Sequence, residues 1–212
     1  YAILSHTWMR DAPGEVTFQD WATRECNPQG NSKIVKFCEV AARDHNITLG
    51  WVDNVCINKE SSSELDESIR SMYNWYRGAS VCITFFADTA NISDAHRDSW
   101  FTRGWTLQEM LAPVRTVFYN GNWDQLGSNS DAEILSVIQK ASGITGRELN
   151  LSWSGHIAAI PFSRRMQMAC GRQVTREEDA SYSLMGILGV DISIAYGEGA
   201  SRAFFRLVRE LF

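Results

Sequence analysis

Trp105 and Glu109 are four residues apart in this sequence, and their residue types suit a site on one helix. The alternative for Glu109 is a solvated glutamate on the helix surface. Residues four apart lie above one another on an α-helix, so both side chains are expected on one helix face together with Thr102. Leu107 and Leu111 fall on roughly the opposite side and are expected to face the core. A carboxylate in a cleft beside an indole is partly removed from water, which raises its pKa. Such a group can stabilise positive charge that develops on a neighbouring substrate.

Three polar residues follow short apolar runs that are typical of buried strands. Ser5 and His6 come directly after residues 1–4, and Asp53 closes the run at 49–53. Ligands of parallel α/β sheets bind beyond the carboxyl ends of the strands, so we expect these side chains to contact substrate. The alternatives are polar groups that only satisfy the strand ends and, for Asp53, a residue that caps the following loop.

Two further residue types suit an anionic, aromatic ligand. The planar guanidinium of Arg103 can hold a diphosphate through paired hydrogen bonds, with a surface ion pair to Asp98 or another acidic residue as the alternative. Trp8 and Trp105 offer rings that can line a pocket, with core packing as the alternative, whereas Trp100 is expected in the core. The predicted substrate-binding set therefore includes Trp8, Arg103 and Trp105.

Other chemistries find less support in the sequence. The five cysteines include no CxxC pair, so we expect reduced and mostly buried thiols rather than disulfides or a zinc ribbon. No two of the four histidines are four residues apart, so no metal site is predicted, and the P-loop motif is absent. A hydrolase that pairs His6 with Cys56 or Cys38 stays open as an alternative.

Strands and helices alternate through the first part of the sequence. Apolar runs predict strands at residues 1–4, 49–53, 81–86 and 114–119. Helical patterns separate these runs at residues 34–43, 62–77 and 99–111. This alternation implies a parallel sheet with right-handed crossovers and helices on its faces. The sequence thus predicts an α/β fold.

The rest of the chain is predicted to be mostly helical. Helices are expected near residues 134–138, 164–170, 177–188 and 200–212. The charged run at residues 176–179 opens one of them, and we expect it to form tertiary ion pairs and to cap the helix. No linker separates a second domain. We therefore predict one domain over residues 1–212, with an α/β core at 1–126 and a helical extension at 127–212 that packs on the sheet.

The composition is that of a globular protein and limits its partners. Of the 212 residues, 44% are hydrophobic and 21% are charged. The net charge of −5 has the wrong sign for non-specific phosphate binding, so nucleic acid is not an expected partner. No apolar run approaches the roughly 20 residues of a membrane span and no signal peptide is evident, so a cytoplasmic location is expected. Because the sequence begins with Tyr1 rather than with methionine, we expect it to be part of a longer protein.

Several segments together resemble the HET domain, the heterokaryon-incompatibility module of filamentous fungi. The segments YAILSHTW at 1–8, WVDNVCINK at 51–59 and SWFTRGWTLQE at 99–109 resemble its opening strand, its W-V-D-x-x-C-I-x-K block and its R-x-W-T-L-Q-E helix. Further similarity occurs at 63–79 and 176–199, whereas Val55 stands where the family often has a second cysteine. The resemblance implies a role in regulated cell death, triggered by fusion of incompatible strains or by sensor or receptor domains outside this chain.

The HET domain is in turn similar to TIR domains, many of which cleave NAD⁺ at the nicotinamide–ribose bond. This second resemblance implies a TIR-like, flavodoxin-like sheet and equates the TIR W-x-x-x-E helix with Trp105 and Glu109. It implies that Trp105 lines the pocket and that Glu109 contacts the scissile ribose. The same resemblance implies that NAD⁺ is the substrate and that no metal or cofactor is needed. It also implies that self-association into a homo-oligomer completes the pocket. A non-enzymatic adaptor that acts by homotypic assembly is the alternative.

Overall fold

The centre of the fold is a mixed sheet of five strands. The computed structural model describes residues 1–9 and 11–211. The strands are β1 (Ala2–His6), β2 (Gly50–Trp51), β3 (Val81–Phe85), β4 (Thr116–Tyr119) and β5 (Gln125–Ser128). Their order in the sheet is β2-β1-β3-β4-β5, with β1 to β4 parallel and β5 antiparallel to β4. The predicted parallel α/β sheet is confirmed.

Strand β5 was not predicted from the sequence. Its four residues, QLGS, include no β-branched or aromatic side chain, so the strand signal is weak. It forms because backbone groups of β4 pair with it, for example Phe118 with Gly127. The strand therefore spans the position near residue 126 at which we expected the α/β core to end.

Helices cover both faces of the sheet. Helix α1 (Pro28–His45) packs against one face, where Phe37 and Val40 meet Leu4 and Ile83. After the short α2 (Asp53–Cys56), helices α3 (Ser62–Gly78) and α4 (Thr106–Leu111) cover the other face. Helix α1 begins earlier than residue 34 because the Asn27 side chain accepts the Gly30 N–H at 3.0 Å and thereby caps it.

The rest of the chain adds six α-helices to the described structure. They are α5 (Ala132–Ser142), α6 (Gly146–Trp153), α7 (Phe162–Gln167), α8 (Asp179–Tyr182), α9 (Met185–Leu188) and α10 (Ala200–Arg209). Short 3-10 helices occur at Trp21–Cys26, Ala95–Arg97, Ser99–Thr102 and Ile157–Ala159. The helices of this part form one core cluster with Leu107 of α4 and Phe118 of β4, so they pack against the sheet.

Several predicted boundaries were wrong. Only Gly50–Trp51 of the predicted strand at 49–53 pairs with β1, and the helix expected at 177–188 is divided into α8 and α9. The terminal helix ends at Arg209 rather than 212, and Phe212 lies outside the described residues. Helix α6 was missed although Thr145 and Glu148 form a capping box, a signal that the sequence does contain.

The predicted helix at residues 99–111 is interrupted. A 3-10 helix at Ser99–Thr102 is followed by a separate α4, because the backbone between them pairs with a distant segment. The Gly104 N–H donates to the Gln173 carbonyl at 2.8 Å, and the Gln173 N–H donates to the Thr102 carbonyl at 2.6 Å. Thr102 therefore does not share a helix face with Glu109, whereas Leu107 is fully buried as expected.

Most of the cysteines lie at the protein surface. Cys82 is buried, but Cys26, Cys38, Cys56 and Cys170 are exposed, so the expectation of mostly buried thiols was wrong. Cys38, for example, lies on the outer side of α1, away from the buried face that carries Phe37. Across residues 1–9 and 11–211, no helix combines the length and the apolar character needed to cross a bilayer.

Candidate active site

A cavity of about 290 Å³ lies beyond the carboxyl ends of β1 and β2. All of the predicted site residues except Ser5 line it, namely His6, Trp8, Asp53, Arg103, Trp105 and Glu109. Ser5 is completely buried beneath the cavity and contacts Glu109 instead of the open space. The structure thus brings together residues from three separate segments of the sequence.

Glu109 is a nearly buried carboxyl group at the floor of this cavity. It is 8% exposed, and the Ser5 hydroxyl donates a hydrogen bond to its Oε2 at 2.5 Å. No basic side chain of the described residues forms an ion pair with it. Burial raises the pKa of Glu109 to about 8, although the Ser5 hydrogen bond and the charge of Arg103 favour the ionised form. The carboxyl group is therefore mostly protonated at neutral pH.

Ser5 connects Glu109 to the core. While its hydroxyl donates to Glu109, its oxygen accepts the Trp100 indole N–H at 2.7 Å. Trp100 is fully buried against Phe86 and Phe101, which confirms the prediction that it belongs to the core. Ser5 therefore places the carboxyl group relative to a rigid aromatic cluster.

Ser5→Ala is expected to lower the free energy of unfolding by about 1 to 3 kcal/mol, because it leaves the buried Trp100 N–H without an acceptor. Urea denaturation at pH 7 measures this change. Ser201→Ala, at an exposed position of α10, serves as the control and should stay within about 0.5 kcal/mol of the wild type. Equal stability of the two variants would contradict a structural role for the Ser5 hydroxyl.

One wall of the cavity is organised by Asp53. Its carboxylate accepts hydrogen bonds from His6 Nε2 at 3.2 Å, Lys59 Nζ at 3.0 Å and Trp8 Nε1 at 3.2 Å. Burial opposes its ionisation, but the positive charge of Lys59 and the His6 hydrogen bond outweigh burial and lower the pKa of Asp53. The Lys59 ammonium also lies 3.6 Å from the centre of the Trp8 ring. Asp53 forms no side-chain cap on α2, so its carboxylate orients this wall instead.

The buried His6 ring lies between Asp53 at the cavity wall and Glu15 in the protein interior. Burial and the charge of Lys33 lower the pKa of His6, so the ring is neutral at pH 7. Its Nδ1 has no hydrogen-bond partner among the described residues and lies 3.7 Å from Glu15 Oε1. Glu15 in turn pairs with Lys33 at 2.7 Å. The sequence contained no signal for this pair, because neither residue lies in a recognisable motif.

The opposite wall comes from the C-terminal part of the chain. Asp179 accepts hydrogen bonds from Trp105 Nε1 at 3.0 Å and from the Tyr196 hydroxyl at 2.8 Å. The Arg176 guanidinium lies over the Tyr196 ring, 4.0 Å from its centre. These contacts fix the Trp105 ring beside Glu109. The site predicted from the sequence does not include Arg176, Asp179 or Tyr196.

The ion pairs expected for residues 176–179 are not found in the described part of the chain. Glu178 instead accepts the backbone N–H groups of Gly197 at 2.8 Å and Gly199 at 3.1 Å. Glu178 thus stabilises the loop at residues 197–199, and Asp179 binds the Trp105 indole. Neither carboxylate forms an ion pair in the described residues. The capping role was also wrong, because α8 has no side-chain N-cap hydrogen bond.

Arg103 lines the cavity and is not neutralised by a carboxylate of the described residues. The alternative ion pair with Asp98 is wrong, since Asp98 accepts the Trp100 N–H at 3.0 Å and the Thr89 hydroxyl at 2.9 Å. Arg172 holds the Arg103 backbone, because its Nη1 donates to that carbonyl at 2.8 Å. The guanidinium of Arg103 is therefore positioned to meet an anion.

Comparison with known proteins agrees with the resemblance seen in the sequence. Residues 1–94 match the family described as heterokaryon incompatibility protein (HET). Over 98% of its length, the chain is 36% identical to the vegetative incompatibility protein HET-E-1 of Podospora anserina. The chain belongs to the HET family. It spans 16% of the length of that relative, and no solved structure matches it significantly.

The family match ends before several residues of the cavity in this HET domain. Residues 1–94 include His6, Trp8 and Asp53 but neither Glu109 nor the C-terminal wall. Glu109 and that wall fall within the stretch of 36% identity. The cavity therefore combines residues from both parts of the chain.

The geometry of this HET domain does not favour a cysteine nucleophile. Although Cys56 and Cys38 reach the surface, the surrounding protein displaces water from their sulfur atoms and raises the pKa of both thiols, the opposite of what activates a thiol. No hydrogen bond joins either thiol to His6 in the described residues, since His6 Nε2 is directed to Asp53. No group of three or more His, Cys, Asp or Glu side chains in this part of the chain is arranged to hold a metal ion.

Proposed function

We propose that this HET domain hydrolyses NAD⁺ at the nicotinamide–ribose bond and acts as a cell-death effector in vegetative incompatibility. The observation that carries the proposal is Glu109, a single carboxyl group on the floor of the cavity beside Trp105. The name of the relative HET-E-1 supports the incompatibility role. Because the chain spans a small part of that relative, the activity of the whole protein is included in the proposal.

The strand order supports a TIR-like, flavodoxin-like architecture. The parallel strands follow the order β2-β1-β3-β4, which is the order of flavodoxin-like doubly wound sheets. In such folds, nucleotides bind at the carboxyl ends of the strands, where the cavity is found. The antiparallel β5 is a departure from a fully parallel sheet.

One carboxylate suffices for the proposed reaction. Ordinary glycosidases need two carboxyl groups, since the leaving oxygen must be protonated. As the carbon–nitrogen bond breaks, nicotinamide leaves NAD⁺ as a neutral molecule with the bonding electron pair, while positive charge moves to the ribose. Water then adds to the same ribose carbon and releases a proton, which completes the hydrolysis. An ionised Glu109 beside that ribose would stabilise the developing charge, and the cationic pyridinium ring would favour ionisation of Glu109 when substrate binds.

The remaining residues of the cavity fit roles in binding. Arg103 suits the diphosphate, and Trp105, held by Asp179, offers a ring beside the reacting sugar. Trp8 lies at the rim with 38% of its surface exposed. We propose that self-association covers this rim and completes the pocket, and that the reaction takes place in the cytoplasm.

A direct assay tests the proposal. Purified protein is incubated with NAD⁺ over a range of protein concentrations, and nicotinamide release is followed by chromatography. We expect the rate per molecule to rise with protein concentration as oligomers form. Absence of nicotinamide release from the concentrated, oligomeric protein would contradict the proposed activity.

The pH dependence of kcat/KM should report the ionisation of Glu109. Because the carboxylate is the active form and the pKa of Glu109 is about 8, kcat/KM should rise almost tenfold per pH unit between pH 6 and pH 7. It should level off above pH 8. Ser5→Ala removes a hydrogen bond that favours the carboxylate, so it should move the profile to higher pH. Initial rates, corrected for spontaneous NAD⁺ breakdown, measure the profile, and a rate that falls from pH 6 to pH 8 would contradict this role.

A second candidate function is a non-enzymatic adaptor that acts by homotypic assembly. An exposed aromatic pair on α10 favours it, since Phe204 is 47% exposed and Phe205 is 65% exposed. An adaptor would retain killing in Glu109→Gln and would lose it in Phe204→Ser combined with Phe205→Ser. An enzyme would lose killing in Glu109→Gln while it still assembles. Light scattering together with a cell-death assay distinguishes the two.

A further inference from the structure

A second cavity of about 380 Å³ adjoins the first. Its walls include Thr7 and Met9, which follow β1, together with Ala87 and Asp88, which follow β3. Gln29, in the first turn of α1, closes another side. The proposed reaction leaves this cavity without a role.

The second cavity lies where the topology of the sheet favours a ligand. β1 and β3 are neighbours, but the chain leaves β1 toward β2 on one side and leaves β3 toward β4 on the other. The two connections diverge and open a crevice beyond the carboxyl ends of these strands. Nucleotides bind at such switch points in open α/β sheets.

The two cavities share Trp8 and Arg103 in their walls. A molecule that reacts at Glu109 can therefore extend past Arg103 into the second space without leaving the protein surface. Arg103 has no acidic partner among the described residues, and its planar guanidinium matches a diphosphate. A dinucleotide has its diphosphate between two nucleosides, in the same arrangement.

We propose that the second cavity binds the nucleoside of the dinucleotide that is remote from the scissile bond. This inference rests on the proposed function, and it assigns recognition to the whole dinucleotide rather than to its nicotinamide half. The reacting ribose then lies at Glu109, the diphosphate at Arg103 and the adenosine between β1 and β3.

The polar groups of the second cavity suit a neutral nucleoside. Asp88 Oδ2 accepts the Ser99 N–H at 3.3 Å and the Ser99 hydroxyl at 2.5 Å, while Oδ1 has no hydrogen-bond partner in the described residues. A carboxylate oxygen with spare capacity is a suitable acceptor for ribose hydroxyl groups. Gln29 is exposed and offers an amide that can pair with a base.

Binding of AMP, the remote half alone, tests the assignment without relying on catalysis. Calorimetry should detect AMP binding to the wild type, and Ala87→Trp should weaken it at least tenfold because the indole fills the cavity. Ala90→Trp, on an exposed residue of the same loop outside the cavity, is the matched control and should bind AMP normally. Gln29→Trp narrows the cavity from the α1 side and provides a second variant if Ala87→Trp does not fold.

Hydrolysis provides a separate measurement. We expect kcat/KM for NAD⁺ to exceed that for nicotinamide mononucleotide at least tenfold, and Ala87→Trp to reduce only the NAD⁺ value. AMP binding that is absent, or that is unchanged in both Ala87→Trp and Gln29→Trp, overturns the inference. If neither substrate is hydrolysed but AMP binding is lost in these variants, the second cavity is supported while the proposed reaction fails.

Discussion

Glu109→Gln is expected to lower the rate of NAD⁺ cleavage by about 10²- to 10³-fold or more. The amide has nearly the same shape as the carboxyl group and can still accept the Ser5 hydroxyl, but it cannot become negative. A preorganised charged group is worth about 3 to 4 kcal/mol in a transition state, and each 1.4 kcal/mol changes the rate tenfold. The loss should therefore fall on kcat, with a smaller effect on substrate binding.

Single-turnover and steady-state measurements of nicotinamide release check this expectation. Glu67→Gln, on an exposed position of α3, makes the same chemical change away from the cavity and should retain full activity. A rate within threefold of the wild type for Glu109→Gln would exclude Glu109 as the catalytic group.

Stability measurements separate this loss of activity from unfolding. Burial raises the pKa of Glu109 above its value in the unfolded chain, so the folded state holds this proton more tightly. Between about pH 4.5 and about pH 8, Glu109 is ionised in the unfolded chain but keeps its proton in the folded protein. The free energy of unfolding of the wild type therefore falls as pH rises through this range, whereas that of the glutamine variant does not. Glu109→Gln should thus gain stability relative to the wild type across this window and remain constant above it.

Gly186→Ala is expected to destabilise the protein by about 3 kcal/mol or more. Gly186 lies in α9 against α3, and a Cβ atom there would overlap Cβ and Cγ of Tyr73. Because Cβ is attached directly to the α3 backbone, a side-chain rotation of Tyr73 cannot relieve the overlap. The two helices would have to separate, which costs more than ordinary overpacking of a core.

Thermal unfolding measures this effect, with an expected fall in Tm of about 6 to 12 °C for a chain of this size. Gly78→Ala is the matched control, since a Cβ at Gly78 would meet only the Tyr1 hydroxyl at 3.7 Å. The adjoining surface of α3 lines the cavity through Leu65, Ile69 and Met72, so Gly186→Ala should also weaken ligand binding. Unchanged stability would show that α9 does not pack on α3 as closely as described.

The elements with strong local patterns were predictable from the sequence. The apolar run at 81–86 contains β-branched and aromatic residues and forms β3, and Ser61 caps α3 as its spacing with Glu64 predicts. Elements that depend on distant pairing were not predictable. β5 forms on the edge of β4, and α4 is shortened because Gly104 pairs with Gln173.

The same division applies to the candidate site. Parallel strands place their carboxyl ends at one edge, so His6 and Asp53 could be expected near each other. The wall from the C-terminal part of the chain could not be expected, since Trp105 and Asp179 are separated by 74 positions. A hydrogen bond over that separation leaves no pattern in a single sequence.

By itself, the sequence determined the family of this protein, the alternation of its strands and helices, and the residues that approach the edge of its sheet. These features arise from local side-chain patterns and from motifs of adjacent residues. Only the tertiary structure decided that Glu109 is buried on Ser5, that Arg103 lacks an acidic partner in the described chain and that Asp179 holds Trp105. Burial and charge at a site depend on groups far apart in the chain, and folding alone brings these groups together.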